Sequence, residues 1–148
     1  MKIEPTYVVI DTNVLISAAL LPRNQIAELL GLLFDNFVLA QNKFTWDELQ
    51  SRMLRKKFDA YFGANGRLQF LTIVAQNTVF FEPKAQVSDC RDADDNQFLG
   101  LAIDAKAQMI VSGDADLKVL HPYKGIAIYS PSECLNILKH IKTTLNIG

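Results

Sequence analysis

Cysteine is scarce. Cys90 and Cys134 lie far apart and form no C-x-x-C, which argues against a disulfide framework or a zinc site and makes a reducing compartment the default. Histidine is equally rare, and His121 and His140 sit outside any motif; His121 precedes Pro122 in an expected loop and His140 falls in the last expected helix. There is no G-x-S-x-G, no P-loop and no G-x-G-x-x-G, so a nucleophile-elbow hydrolase and the common nucleotide-binding loops find no support. Excess charge of one sign is absent too: the formal net charge is −1, which argues against holding nucleic acid by overall electrostatics but leaves room for a local basic strip. No stretch approaches the length of a membrane span. The apolar run 7–21 resembles a leader, yet Asp11 and Asn13 interrupt it and Glu4 and Pro5 precede it, so the expected location is the cytoplasm, with no membrane partner.

What is present is a globular composition. The 148 residues are 49% hydrophobic and 21% charged, which fits a single domain over 1–148 with a core of its own. Short apolar runs alternate with amphipathic ones, without repeats or low-complexity linkers. Tyr7-Val8-Val9-Ile10 has no polar alternation and suits a strand buried on both faces. Runs 37–40, 78–81 and 109–111 read similarly, and 126–129 is a fifth. Ile26, Leu29, Leu30 and Leu33 recur at helical spacing, as do Phe98, Leu99, Ala102 and Ile103. Residues 43–58 and 67–76 read as two more helices, separated by a break at Gly63 and Gly66. Ser130 and Pro131 open the last helix. The alternation predicts an α/β fold with a parallel sheet of four to five strands flanked by helices.

Acidic residues mark the strand ends. Asp11 follows the first strand, and Asp114 follows the fourth after Ser112 and Gly113. Ligands of a parallel sheet bind at the carboxyl ends of its strands, so both carboxylates emerge on the functional edge. Each also suits a helix cap, and that reading stays open for either one alone. In Arg91-Asp92-Ala93-Asp94-Asp95-Asn96, capping and the helix dipole account for one or two of the acids. Asp95 stands one turn before Phe98 and Leu99, on the apolar face, and so points toward the sheet edge. Its helical phase, rather than composition, selects it over Asp92 and Asp94. Glu48 lies in the 43–58 helix with Arg52, Arg55 and Lys56 sharing or bordering its face. From the residues alone, Glu48 reads best as a solvated partner of Arg52. The three basic residues serve either as a phosphate contact or as a solvated face. Crowded carboxylates call for a hard divalent cation, Mg²⁺, Mn²⁺ or Ca²⁺, and the chemistry such an ion supports is phosphoester hydrolysis.

Val9-Ile10-Asp11-Thr12-Asn13-Val14-Leu15, then Glu48-Leu49, Asp92-Ala93-Asp94-Asp95-Asn96, and Val111-Ser112-Gly113-Asp114-Ala115-Asp116-Leu117, resemble the PIN-domain family. The likeness covers nearly the whole chain, in the family's order, and is strongest to the bacterial branch of toxin components of toxin–antitoxin modules. It implies a parallel sheet flanked by helices, an acidic pocket binding Mg²⁺ or Mn²⁺, and cleavage of RNA. Asp11, Glu48, Asp95 and Asp114 fall on the family's catalytic acidic positions, which displaces the solvated reading of Glu48. Asp11, Asp95 and Asp114, with Asp116 as a less regular fifth acid, are the implied metal ligands. Asn13 and Ser112 match polar residues that position the pocket. Ala93 departs from a frequent proline, and Lys56-Lys57-Phe58 lacks another; neither change removes an acid.

The expectation is therefore a metal-dependent endoribonuclease, with RNA as substrate, a small antitoxin protein as partner and homodimerisation as a family habit. Trp46, Phe58, Tyr61 and Phe62 supply aromatic surface for a dimer unless the core takes them. The alternatives are a structure-specific DNA nuclease, for whose extra DNA-binding elements this short chain leaves little room, and a PIN-like binding module without catalysis. A phosphoacceptor domain would need a lysine after a later strand, and Lys124 precedes it; a haloacid-dehalogenase phosphatase would need an acid where Asn13 stands.

Overall fold

The computed structural model describes residues 4–21, 23–63 and 65–147. The strands are β1 (Tyr7–Ile10), β2 (Val38–Gln41), β3 (Thr78–Phe80), β4 (Met109–Val111) and β5 (Ala127–Tyr129). All pair in parallel, in the spatial order β3-β2-β1-β4-β5. From β1 the chain moves outward through β2 to β3, then returns to the other side of β1 for β4 and β5. The topological switch point thus falls between β1 and β4, where an open parallel sheet forms its ligand crevice.

The helices are α1 (Thr12–Leu20), α2 (Gln25–Asn36), α3 (Lys43–Met53), α4 (Gly66–Gln76), α5 (Ala93–Ala105), α6 (Ala115–Lys118) and α7 (Pro131–Ile147). Most begin at a side-chain cap that satisfies a first-turn amide. Asp11 caps α1, Asn24 α2, Asp92 α5 and Asp114 α6. Asn42 and Thr45 form a reciprocal capping box on α3, and Ser130 and Glu133 do the same on α7. Period-two alternation splits the core. Val8 and Ile10 face a cluster with Leu29, Leu33, Leu49 and Met53, whereas Val9 faces Phe98, Leu99, Ala102 and Ile128 on the other side. The central strand therefore carries no polar side chain, as expected of one covered on both faces.

Element types match the sequence expectations and several edges move. Phe37 ends α2, its N–H bonding Leu33 O at 2.8 Å, so β2 begins one residue later. The strand expected over 126–129 starts at Ala127, because Ile126 closes a tight turn with Tyr123 in which Lys124 (φ 48°) and Gly125 (φ 83°) are left-handed. Gly66 is no break but the first residue of α4. The largest correction concerns 43–58. The helix stops at Met53 and a separate 3₁₀ turn covers Lys56–Phe58. The Arg67 guanidinium explains the stop: it donates to Met53 O at 2.6 Å and to Arg55 O at 3.3 Å, carbonyls that a continuing helix would have used. Of the aromatics offered for a dimer, Trp46, Phe58 and Phe62 pack against the core, and Tyr61 stays 57% exposed. Among the described residues, no helix is long and apolar enough to cross a membrane.

Leu99 is fully buried between α5 and the sheet, one turn beyond Asp95. Leu99→Ala is expected to lower unfolding stability by about 3 kcal/mol, from lost transfer energy plus the cavity left behind; urea unfolding followed by circular dichroism measures it.

Candidate active site

Asp11 sits where β1 ends and α1 begins, 8% exposed. Its Oδ1 accepts the Asn13 N–H at 3.3 Å, which is the capping role. Its Oδ2 accepts a 2.7 Å hydrogen bond from Ser112 Oγ, which capping does not require. Ser112, wholly buried at the end of β4, in turn accepts the Asp114 N–H at 3.0 Å. One hydroxyl thus ties the two strands of the switch point and fixes the start of α6. Asp114 caps that helix by accepting the Asp116 N–H at 2.8 Å. A Lys118–Glu133 ion pair at 2.6 Å secures α6 to α7.

Asp95 enters from α5. Asp92 caps this helix, so Asp94 and Asp95 fall in its first turn on different faces: Asp94 exposed, Asp95 only 7% exposed. The helical phase correctly distinguished the acid that turns inward. Carboxylate oxygens of Asp95, Asp114 and Asp116 lie within 4.8 Å of one another. Burial pushes the Asp95 carboxyl up to about 6, helped by the negative charges of Asp114, Asp92 and Asp11. The Cys90 thiol, 3.6 Å from Asp95 Oδ2, is itself held protonated by burial. The trio itself offers carboxylate oxygens, donors that suit a hard divalent cation. Asp11 stands outside that tight trio and reaches it through Ser112 and Asp114.

Glu48 is neither solvated nor within the trio. Thr12 Oγ1 donates to its Oε2 at 3.1 Å, and its other oxygen pairs with Arg52. Burial raises its pKa, opposed by the Arg52 charge and the Thr12 hydrogen bond, and Asp94 and Asp11 add repulsion. Both readings of Glu48 are therefore partly present: the pair with Arg52 forms, on a side chain only 13% exposed at the pocket. Arg52 also donates to Asn13 Oδ1 at 2.7 Å, so it stitches α3 to α1. Arg55 and Lys56 are exposed and lie beyond the end of the helix; Arg55 still borders the Glu48 cavity, whereas Lys56 is not among its lining. Glu48, Arg52, Arg55 and Asp94 line a cavity of about 410 Å³; Asp11, Asn13, Gly113 and Asp114 line another of about 320 Å³.

Sequence reasoning missed three neighbours. Thr12 stands inside the Asp11-Thr12-Asn13 triplet, where its hydroxyl was legible but its partner was not. Arg91 reaches across to both oxygens of Asp116 at 3.2 and 3.1 Å. Cys90 precedes it. The last two pairings lack any local spacing signal.

The family model of the PIN domain matches residues 7–116, a span that contains Asp11, Glu48, Asp95, Asp114 and Asp116. The chain belongs to the PIN domain family. It is 36% identical over 112 residues to the uncharacterized protein MJ1680 of Methanocaldococcus jannaschii, covering 74% of this chain and 72% of that protein. This relative is archaeal. In structure this chain is similar to VapBC2 from Rickettsia felis, solved bound to a DNA fragment from their promoter. The TM-score is 0.59 and the identity 15%, covering 84% of this chain and 98% of that one, a likeness of fold.

The raised Asp95 pKa has a stability consequence for metal-free protein. Between the ordinary carboxylate value of 3.8 and about 6, the folded state binds the proton that the unfolded state has released. The contribution is thus fully present below 3.8 and lost as pH rises through about 6. In chelator, wild type is expected to lose stability over that window while Asp95→Asn does not, and the variant melts higher at neutral pH. Thermal melts across pH 4–8, a window of roughly two units on either side of that value, check this; parallel curves would refute it.

Proposed function

We propose that the protein is a metal-dependent endoribonuclease that hydrolyses RNA phosphodiester bonds, and that it is the toxin component of a toxin–antitoxin pair. The observation that carries this reading is the gathering of Asp11, Asp95, Asp114 and Asp116 at the switch-point edge of the sheet, with Asp95 buried among like charges. Capping explains Asp11 and Asp114 singly but not Asp95, which caps nothing.

In this reading Asp95, Asp114 and Asp116 hold Mg²⁺ or Mn²⁺, with Asp11 as the ligand on the β1 side. When bound, the ion supplies positive charge to phosphate oxygens and acidifies a water. The chain's own contributions are distinct. Ser112 holds Asp11 in one orientation, and Asn13 and Thr12 fix the α1 end of the pocket. Glu48, whose carboxyl burial pushes up against the opposing Arg52 charge and Thr12 hydrogen bond, is the proton acceptor at the mouth. Asp11, Glu48, Asp95 and Asp114 are thus the catalytic set. Arg52, Arg55 and Lys56 meet the RNA backbone, Arg52 in addition to its tie to Glu48. The motif likeness to toxin components supports a small antitoxin protein as partner, a second copy of the chain in a dimer, and a cytoplasmic setting.

Asp11→Asn and Asp95→Asn are each expected to reduce Mn²⁺-dependent RNA cleavage to background with unchanged circular dichroism, and chelator to stop the wild-type reaction. A time course on RNA beside single- and double-stranded DNA decides it. Full activity in either variant removes the assignment; preferential DNA cleavage makes the protein a DNA nuclease. For the basic residues, Arg55→Ala and Lys56→Ala, both exposed and free of the Glu48 pair, are expected to weaken binding across sequences. Each lost phosphate contact lowers the salt slope by about 0.7 for a single strand. An unchanged slope in the double variant refutes the contact.

A further inference from the structure

A cleft of about 440 Å³ lies on the same edge of the molecule and plays no part in the acid cluster. One wall is a stripe of α5, Ala93, Gln97, Gly100, Leu101 and Asp104, spaced along a single helix face. The other wall is the segment 83–87, pinned across the helix by Asp104, whose carboxylate accepts the Lys84 N–H at 3.0 Å and the Ala85 N–H at 2.9 Å. The segment passes close over Gly100, where an added Cβ would meet Ala85 O at 3.4 Å, an ordinary contact. At the inner end is Asn42, which is 2% exposed and follows β2 directly.

The polar chemistry of the cleft is amide chemistry. Asp104 is spent on the backbone, and the Asn96 amide bonds the Cys90 backbone in both directions. The Asn42 oxygen caps Thr45 at 2.9 Å, which leaves its amide hydrogens as the group it offers to the cleft. Gln86 and Gln97 are exposed amides on the two walls, and Val87 and Leu101 supply apolar surface between them. Lys84 is the single basic residue among the lining. A phosphate would find little charge here. A nucleobase, neutral and flat with donors and acceptors on its edge, matches a lining of Asn and Gln amides with a smaller apolar strip beside them.

The cleft also has the right neighbour. Phe44 and Asp94 line the Glu48 cavity, whereas Asn42 and Ala93 line this one, so the two adjoin where α3 and α5 begin. We propose that this cleft is a nucleobase subsite, receiving the base of a nucleotide next to the cleaved phosphodiester, with Asn42 and Gln97 reading its edge. The proposal rests on the ribonuclease reading above and adds to it a place for a base and two specificity-determining residues.

The test is an abasic scan. Single-stranded oligoribonucleotides carrying one abasic nucleotide at successive positions are cleaved by the wild-type protein with Mn²⁺. One position flanking the cut is expected to lose about tenfold in kcat/KM, the effect of one or two forfeited hydrogen bonds. In Asn42→Ser with Gln97→Ala, this ratio falls toward one, while the rate on the abasic substrate stays that of wild type. Serine keeps the α3 cap, and alanine at an exposed helix position is well tolerated. Should the double variant melt early, Gln97→Ala alone carries the comparison. A flat scan in wild type, or an undiminished ratio in the variant, overturns the subsite and leaves the nuclease standing. Failure of wild type to cut any RNA overturns the proposed function, and the subsite with it.

Discussion

The hydrogen bond from Ser112 Oγ to Asp11 Oδ2 joins residues 101 positions apart and closes the one gap that the topology leaves open. At the switch point, β1 and β4 pair side by side, and the ladder runs on to Asp11, whose N–H donates to Val111 O at 2.9 Å. Nothing in the backbone ladder dictates where the two carboxylates end up. A single buried hydroxyl, bonded to Asp11 on one side and to the Asp114 amide on the other, sets both. Asp114 then orders Asp116, and Asp95 packs in from α5. The pocket is therefore an extension of the sheet rather than a loop feature, which is how a small fold holds side chains firmly enough for chemistry.

Against that order stands repulsion. Burial, reinforced by the like charges of Asp114, Asp92 and Asp11, raises the pKa of Asp95, a carboxylate only 7% exposed. The cations are not distributed to cancel the charge. Arg91 takes the outer acid, Asp116, and Arg52 takes Glu48, so both neutralise the rim. The centre is left anionic. Among the described residues no ion pair forms on Asp95, and a buried carboxylate without a cationic partner costs stability.

Sequence reading and tertiary structure agree most closely where a signal is local. Val8, Val9 and Ile10, apolar without alternation, announced a central strand because a residue covered on both faces has no water-facing side to advertise. Asp95 was separable from Asp94 by helical phase, since a step of one residue turns a side chain by roughly 100°. Where the signal depended on a distant partner it failed. The helix expected over 43–58 stops at Met53 because Arg67, fourteen residues later, takes its carbonyl oxygen. Glu48 looked solvated because Thr12, its hydroxyl partner, is thirty-six residues away.

The sequence by itself determined the element types and the two-faced burial of the central strand, which follow from periodicity, and it placed Asp11 and Asp114 at strand ends. It did not foresee that the edge strand β3 leaves Val79 and Phe80 exposed, and it named Glu48 and Asp116 only through the family resemblance. The tertiary structure alone decided the strand order, and with it that β1 and β4 are neighbours. It decided that Asp116 joins Asp95 and Asp114 while Glu48 stands apart with Arg52, and that Asn42 opens onto a neutral cleft beside the acids. The physical reason is the same in each case. Local pattern specifies which face of an element is buried, whereas a site depends on which buried faces meet, and that is settled by packing between segments far apart in the chain.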